Sequence, residues 1–319
     1  MRALVVMSLA ALLMLPVGAA AQGSLNVYCS VQAEWCQGIA TEFQRQTGIK
    51  VAISQKGSGE TLAQVTAEAA NPRGDVWFGG TGDPHLQAAE QNLTLPYKSP
   101  NLDKLHDWAR RQAEQSGYKT VGIYAGALGF GYNPELLQKR KLAPPACWKD
   151  LPKAEYKDEI QIANPNSSGT AYVAIATIVQ LFGEDEAFRY LKQLHKNVNQ
   201  YPRSGTGPIK AVARGETSTQ APCEGTGYEI GSLSIIKGAR SLDNAKKFVD
   251  WALTAPAQKI GADNKQFQVP SNLEAKLPPQ APKFAEIKLI NYDFAKYGSK
   301  VERKRLLERW EKEVNSQPK

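Results

Sequence analysis

The 319-residue chain contains few of the side chains that metal centres and most hydrolases need. It has four cysteines, three histidines and three methionines. No Cys-x-x-Cys pair occurs, which argues against a structural zinc site. There is no Gly-x-Ser-x-Gly motif and no cluster of histidines or carboxylates along the chain. The sequence therefore predicts no metal site, no cofactor and no enzymatic activity, with an exported hydrolase kept as an alternative.

Beyond the N-terminus, no apolar run is long enough to cross a membrane. Residues 1–21 combine a basic start, the apolar stretch Ala3–Val17 and the small residues Ala19–Ala21. These are the three parts of a secretory signal peptide. Because Pro16 interrupts the apolar stretch and the stretch is short, it does not suit a bilayer span. We expect cleavage near Ala21 and export of a soluble chain.

Charge is not concentrated anywhere in the chain, although its sum is positive. The formal net charge is +8, from 39 basic and 31 acidic residues. Since the basic residues are scattered and no nucleic-acid-binding motif occurs, no nucleic-acid partner is predicted. A general attraction for small anionic solutes is expected instead.

The even number of cysteines favours disulfides in an exported chain. Of the three possible pairings, Cys29–Cys36 with Cys147–Cys223 is favoured.

Hydrophobic periodicity predicts an α/β fold. Apolar strands alternate with amphipathic helices over the first eighty residues, an order typical of a parallel sheet with helices on its faces. The glycine-dotted stretch 121–132 predicts one extended strand that crosses between two lobes. The predicted strands are 25–28, 49–53, 75–78, 121–132, 160–162 and 230–236, and the predicted helices are 33–47, 61–70, 171–182, 183–195, 242–253 and 301–314.

Four short runs combine glycine with serine or threonine: Gly57–Glu60, Gly79–Asp83, Ser167–Thr170 and Ser204–Gly207. Most of them lead into a predicted helix. Because a helix N-terminus has unpaired N–H groups and partial positive charge, small residues there let an anion approach the backbone. The runs therefore predict a cleft at the carboxyl ends of strands. The competing interpretation is that their hydroxyl groups only cap helices.

Two acidic residues bear on the chemistry of such a cleft. Asp83 would repel an anion but would suit an ammonium group. Glu229 could bind a hydroxyl or amine of a ligand, or could be a plain surface acid. The predicted ligand-binding residues are Ser30, Ser58, Gly59, Thr81, Gly82, Ser167, Ser168, Gly169, Thr170, Ser204, Thr206 and Glu229.

Six motifs occur in fixed order over nearly the whole mature chain: VYCS, GSGE, NPRGDVWFGGTGD, LGFGYNPELL, NPNSSGTAY and AVARGE. Together they resemble the periplasmic solute-binding proteins of bacterial ABC importers, in the group described as ferric-iron, 2-aminoethylphosphonate or sugar-phosphate type. The resemblance implies a two-lobed type II periplasmic-binding fold, with parallel-type sheets flanked by helices and a solute held between the lobes. It also implies a periplasmic monomer whose partners are the membrane subunits of a cognate importer.

The resemblance divides the chain into four parts: a signal peptide (1–21), the first lobe (22–125), the second lobe (126–229), and a return to the first lobe with C-terminal helices (230–319). A small phosphorylated or phosphonate solute is the expected cargo. Ferric iron is the alternative, ranked lower because no adjacent tyrosine pair occurs and Tyr201 and Tyr228 stand alone. Presentation of the solute to a membrane sensor is also compatible with these residues.

One segment departs from the family pattern. Relatives are expected to carry a further strand-length segment, with a crossing strand and ligand contacts, after the AVARGE motif. Here residues 211–216 are followed by only six residues before Cys223. We therefore expect that the second crossing between the lobes is shortened or is made differently.

Overall fold

The computed structural model describes residues 23–212, 218–277, 279–281 and 283–319. The predicted signal peptide and part of the shortened segment, residues 213–217, lie outside these ranges. Among the described helices, none combines the length and the apolar character that a membrane span requires.

Strands and helices alternate through most of the chain. The strands are β1 (Ser24–Cys29), β2 (Lys50–Gln55), β3 (Val76–Thr81), β4 (Thr94–Leu95), β5 (Val121–Ala127), β6 (Phe130–Tyr132), β7 (Ile160–Gln161), β8 (Val198–Gln200), β9 (Ser218–Gln220), β10 (Tyr228–Ile236) and β11 (Val269–Pro270). The helices are α1 (Ala33–Thr47), α2 (Ser58–Ala67), α3 (Gly82–Glu90), α4 (Asp107–Gln115), α5 (Pro134–Arg140), α6 (Gly169–Phe182), α7 (Glu184–His195), α8 (Gly207–Val212), α9 (Leu242–Ala252), α10 (Ala255–Asp263), α11 (Phe294–Tyr297) and α12 (Lys300–Trp310).

The first lobe is built on one mixed sheet in the order β11-β5-β10-β3-β1-β2, and β4 also pairs with β10. Strand β1 runs parallel to β2 and β3, whereas β10 runs antiparallel to β3 and β5. The predicted α/β fold is therefore confirmed. The antiparallel neighbours arise because β5 leads towards the second lobe and β10 returns from it.

Helix α1 illustrates how the sequence pattern produces the core of the first lobe. Its residues Trp35, Ile39 and Phe43 recur at helical spacing and are all buried. The Phe43 ring packs edge-on against Phe248 of α9, with 5.0 Å between ring centroids. Gly48 then ends the helix with a φ of 73°, a left-handed conformation that favours glycine.

A separate hydrophobic core lies in the second lobe. Helices α6 and α7 contribute Tyr172 and Phe188, which are fully buried. The C-terminal helix α12 joins this core through Leu306 and Trp310. Successive parts of the chain thus belong to the first lobe, to the second lobe and again to the first lobe. The C-terminal helix finally packs on the second lobe.

The strands of the second lobe form two pairs. Strand β6 pairs antiparallel with β9, and β7 pairs parallel with β8. Within the described residues, neither pair is hydrogen-bonded to the other.

Several predicted boundaries are wrong, including the following three. The predicted strand 121–132 is interrupted between β5 and β6, where Leu128 donates its N–H to the carbonyl of Gly227. The strand predicted at 75–78 continues to Thr81, because Thr81 still pairs with Gly231 of β10, and Gly79 and Gly80 within it adopt positive φ values of 74° and 83°. Helix α2 begins at Ser58 rather than at Thr61.

Both favoured disulfides are present. Cys29, at the end of β1, is joined to Cys36 in α1. Cys147 is joined to Cys223, which ties the loop before β7 to the loop that leads into β10. The second bridge spans 76 residues of sequence and closes the chain of the second lobe into a ring.

Candidate functional site

Three helices present their N-termini to one point between the lobes. Helices α2 and α3 belong to the first lobe and α6 to the second. The Ser58 Oγ atom, at the start of α2, lies 3.4 Å from the Thr81 Oγ1 atom just before α3. The same oxygen accepts a hydrogen bond of 3.2 Å from the backbone N–H of Gly169, the first residue of α6. The N-termini of three helices, where the helix dipoles are positive, thus meet at the buried Ser58 side chain.

The first-lobe side of this site depends on the glycines that end β3. A Cβ atom added to Gly80 would lie 2.7 Å from the Cβ of Ser58 and 2.8 Å from the Cβ of Ser30. The Gly80 N–H donates a 3.1 Å hydrogen bond to the buried Tyr124 hydroxyl. Glycine at this position therefore lets the loop before α3 pass directly beneath the start of α2.

The second-lobe side is the turn that enters α6. Ser168 caps this helix, since its Oγ atom accepts a 3.3 Å hydrogen bond from the Ala171 N–H. The Ser167 carbonyl accepts a 3.2 Å hydrogen bond from the Gly59 N–H across the interlobe space. A Cβ atom added to Gly169 would overlap Thr81 Oγ1. The two lobes are therefore closed on each other at these loops.

Glu229 lies at the start of β10 and connects this site to the second lobe. Its Oε2 atom accepts a 2.9 Å hydrogen bond from the Thr170 hydroxyl. Burial raises the pKa of the Glu229 carboxyl to about 7, and the nearby Asp83 charge acts in the same direction. The hydrogen bond from Thr170 opposes this shift.

Asp83, in the first turn of α3, is a second buried carboxyl near the site. Its side chain is 1% exposed and its Oδ2 atom has no hydrogen-bond partner among the described residues. Burial raises the pKa of Asp83 to about 7, although the positive charge of Arg303 opposes the shift. Arg303 is itself buried, with its guanidinium carbon 4.4 Å from the ring centroid of Tyr172.

The structure brings most of the predicted residues together. Gly82 is buried at the start of α3, where an added Cβ would approach the Ile230 carbonyl to 2.8 Å. Ser30 lies beside Gly80, but its Oγ atom already accepts a 3.0 Å hydrogen bond from the Trp77 ring and contacts Thr61. The residues that lie at or beside the convergence point are Ser30, Ser58, Gly59, Thr81, Gly82, Ser167, Ser168, Gly169, Thr170 and Glu229.

Ser204 and Thr206 are placed differently. Their hydroxyl groups lie 3.0 Å from each other, and Ser204 is exposed. The residue between them comes nearer to the site: a Cβ on Gly205 would lie 2.9 Å from both Ser168 Oγ and Thr170 Oγ1. At this loop the backbone of Gly205, rather than the two predicted hydroxyls, faces the site.

Sequence reasoning missed three further residues around the site. Tyr124 supplies the hydroxyl that holds Gly80, and Glu60 forms an ion pair with Arg203 between the lobes. Tyr124 stands in the glycine-dotted stretch, and that pattern indicates close packing of backbone against a large ring. The Glu60–Arg203 pair has no sequence signal, because its partners lie 143 residues apart.

The two buried histidines, His85 and His195, contact other protein groups through their ring nitrogens and are not free to act as the base of a hydrolase. His85 is fully buried and stacks on Trp77, with 3.7 Å between ring centroids. Its Nδ1 atom lies 2.8 Å from Ser234 Oγ and its Nε2 atom 3.0 Å from the Gly79 carbonyl. Burial lowers the pKa of His85 to about 3. His195 contacts the Tyr201 hydroxyl and the Gln317 carbonyl.

Residues 80–222 match the family described as bacterial extracellular solute-binding protein. The periplasmic binding protein AfuA from Actinobacillus pleuropneumoniae, solved with exogenous fructose-6-phosphate bound, is 42% identical and superposes with a TM-score of 0.89. The match covers 93% of this chain and 100% of that chain. The chain belongs to the periplasmic solute-binding proteins. It is the solute-binding component of an ABC transporter, a class that works with membrane permease and ATPase subunits.

Two further proteins are similar to this solute-binding protein over most of its length. The periplasmic binding protein P5PA is 38% identical with a TM-score of 0.87, and the match covers 92% of this chain and 100% of that chain. An uncharacterised protein of Haemophilus influenzae is 46% identical over 316 residues, covering 92% of this chain and 91% of the relative. The alignment has 316 positions but contains only 92% of this 319-residue chain, so some residues of the relative have no counterpart here. The predicted family and its type II fold are confirmed.

Proposed function

We propose that this solute-binding protein captures a small solute carrying a phosphate or phosphonate group, for delivery to the membrane subunits of its importer. The observation that carries the proposal is the convergence of the α2, α3 and α6 N-termini at Ser58, Thr81 and Gly169. Each helix N-terminus stabilises a nearby anion by about 0.3–1 kcal/mol, more where it is partly buried. Because the termini come from both lobes, an anion between them would favour the closed arrangement.

The part of such a solute beyond its phosphate or phosphonate group would contact polar side chains rather than helix N-termini. Glu229 and Thr170 provide a carboxyl and a hydroxyl next to the convergence point. These groups suit a sugar hydroxyl or an amine on the solute. The fructose-6-phosphate bound by AfuA, which is 42% identical, supports a phosphorylated sugar as one candidate.

Ferric iron is less favoured by the same geometry. Iron sites of this kind use tyrosinate oxygens, which must lose a proton. Burial raises the pKa of both Tyr124 and Tyr201 above the ordinary value. The Tyr124 hydroxyl is also engaged by Gly80, and the Tyr201 hydroxyl contacts His195. We infer that the protein binds its solute without chemically changing it, since the buried His85 is held neutral and both ring nitrogens of His85 and of His195 are engaged.

Calorimetry and thermal unfolding of the mature chain test the proposal. The probes are fructose 6-phosphate, 2-aminoethylphosphonate, inorganic phosphate and ferric citrate, with fructose as the control that lacks the anionic group. A bound probe at 100 times its Kd should raise the free energy of unfolding by about 2.7 kcal/mol. Ser58→Ala should weaken the binding at least tenfold. Thr66→Ala, which removes an exposed hydroxyl from the same helix, should leave it unchanged. Binding of ferric citrate alone would contradict the proposal.

We also propose that the mature protein is a periplasmic monomer that is released after cleavage near Ala21. Residues 1–21 have the charge and apolar pattern of a signal peptide. Mass spectrometry of the protein from a periplasmic fraction should show a mature N-terminus at or next to residue 22. Light scattering should show the mass of one chain. An intact Met1 would contradict the proposed cleavage, and a stable dimer would contradict the proposed monomer.

A further inference from the structure

The second lobe contains a cavity of about 650 Å³. It lies between the strand pairs β6–β9 and β7–β8, under helices α6 and α7. Its walls are largely apolar, with Ala174, Ile175 and Ile178 of α6 on one side and Phe130 and Ile160 on the other. Leu136 and Ile209 also line it, and both are exposed, at 44% and 37%. The cavity therefore has the size and the lining of a small-molecule pocket, with an apolar rim at the surface.

The arrangement of strands explains why this space exists. Strands β6 and β7 line the cavity but are not hydrogen-bonded to each other in the described part of the chain. The gap between the two pairs leaves Ala174, Ile175 and Ile178 of α6 facing the cavity.

The cavity adjoins the interlobe site at Thr170. This residue lines the cavity and also donates its hydroxyl to Glu229 at the interlobe site. Gly205 lines the cavity as well, and its backbone lies against Ser168 and Thr170. The two spaces therefore meet at Thr170 and Gly205.

We propose that this protein takes an amphipathic solute, a phosphate or phosphonate monoester whose apolar chain or ring occupies the cavity of the second lobe. The inference rests on the proposed function, because the anionic head requires the interlobe site. The apolar walls then select the part of the solute that is not charged. An amphipathic monoester should therefore bind more tightly than a purely polar sugar phosphate.

Isothermal titration of the mature protein with inorganic phosphate and with methyl, butyl and hexyl phosphate tests the inference. Each methylene buried in the cavity should tighten binding about fourfold. Ala174→Phe places a ring in the cavity, so it should abolish the dependence on chain length while leaving methyl phosphate binding unchanged. Ala174→Leu should weaken the dependence of affinity on chain length without abolishing it. The matched control, Ala295→Phe, adds the same ring at an exposed position of α11 and should behave as the wild type.

The outcomes separate the two proposals. Equal affinity for all phosphates would overturn the amphipathic solute and leave the anion site intact. Absence of binding by every phosphate would overturn both. Binding of hexanol as tight as that of hexyl phosphate would show that cavity and anion site act independently, which also contradicts the inference. Circular dichroism and the melting temperature show whether both Ala174 variants are folded. If Ala174→Phe does not fold, the test is made with Ala174→Leu.

Discussion

The Ser58 hydroxyl oxygen lies 3.2 Å from the backbone nitrogen of Gly169, although 111 residues separate the two in sequence and they belong to different lobes. This hydrogen bond joins the first turn of α2 to the first turn of α6. It places two helix N-termini, and that of α3 through Thr81, around one oxygen atom. An anion bound between the lobes would face these N-termini.

Gly169→Ala should prevent the lobes from closing as they do here. The added Cβ would overlap Thr81 Oγ1 and lie 2.5 Å from Ser58 Oγ. Because alanine is a good helix former, the second lobe itself should fold as before. We expect at least a tenfold loss of affinity for fructose 6-phosphate by calorimetry. In small-angle scattering, the radius of gyration should stay large when this solute is added. A wild-type affinity would show that the observed contact is not part of the solute-bound state.

The buried carboxyl of Asp83 predicts a pH dependence of stability. Its pKa rises from 3.8 to about 7 on folding, because burial disfavours the charged form. Between these values the folded protein binds more protons at Asp83 than the unfolded chain does, so the contribution of Asp83 to the free energy of unfolding should fall as the pH rises from about 4 to 7. Glu229, with a pKa also raised to about 7, should contribute in the same direction. His85 acts in the opposite direction between about pH 3 and 6.5, because burial lowers its pKa, so the effect of Asp83 is read from the difference between a variant and the wild type.

Asp83→Asn keeps the shape of the side chain and removes its charge. The variant should be more stable than the wild type at pH 7.5, by about 2 kcal/mol, and should lose much of this advantage at pH 4. Urea unfolding at a series of pH values measures both effects. Asp103→Asn, which changes an exposed carboxyl of the first lobe, is the control. A difference in stability between Asp83→Asn and the wild type that does not grow from pH 4 to 7.5 would contradict the assignment.

The two disulfides should differ in their contribution to stability. In the chain-entropy view, a crosslink stabilises more when it closes a longer loop. The Cys147–Cys223 bridge spans 76 residues and should contribute about 4 kcal/mol, whereas the Cys29–Cys36 bridge spans seven and should contribute about 2 kcal/mol. Paired serine substitutions, followed by urea unfolding, measure each contribution. A larger loss for the shorter loop would mean that native packing around buried Cys29 outweighs loop entropy.

The ion pair between Arg203 and Glu60 should contribute little, even though it bridges the lobes. The Arg203 side chain is 85% exposed, so water and salt screen the pair. We expect Arg203→Ala to change the affinity for fructose 6-phosphate less than threefold in 0.15 M salt. A loss as large as that of Gly169→Ala would indicate that this arginine touches the solute directly.

Much of the first lobe could be predicted from sequence because its signals are local. The apolar residues of α1 recur at helical spacing, β1 and β2 are short apolar runs, and Gly48 marks the end of a helix. The order of these elements suffices to indicate an α/β lobe with loops at the carboxyl ends of strands. The loop residues Ser58, Thr81 and Gly169 could be selected for the same reason, since glycine and hydroxyl residues before helices form a local pattern.

Other features were decided by the tertiary structure alone. Strand β9 pairs with β6 across nearly ninety residues of sequence, and no local pattern specifies a three-residue strand with such a distant partner. The raised pKa values of Asp83 and Glu229 arise from burial, which is produced by packing of both lobes around them. The sequence by itself thus determined the main elements of the first lobe, the positions of the glycine and hydroxyl loops, and the family. Only the tertiary structure decided that three helix N-termini meet at Ser58 and that the second lobe encloses a cavity, because both depend on contacts between distant segments.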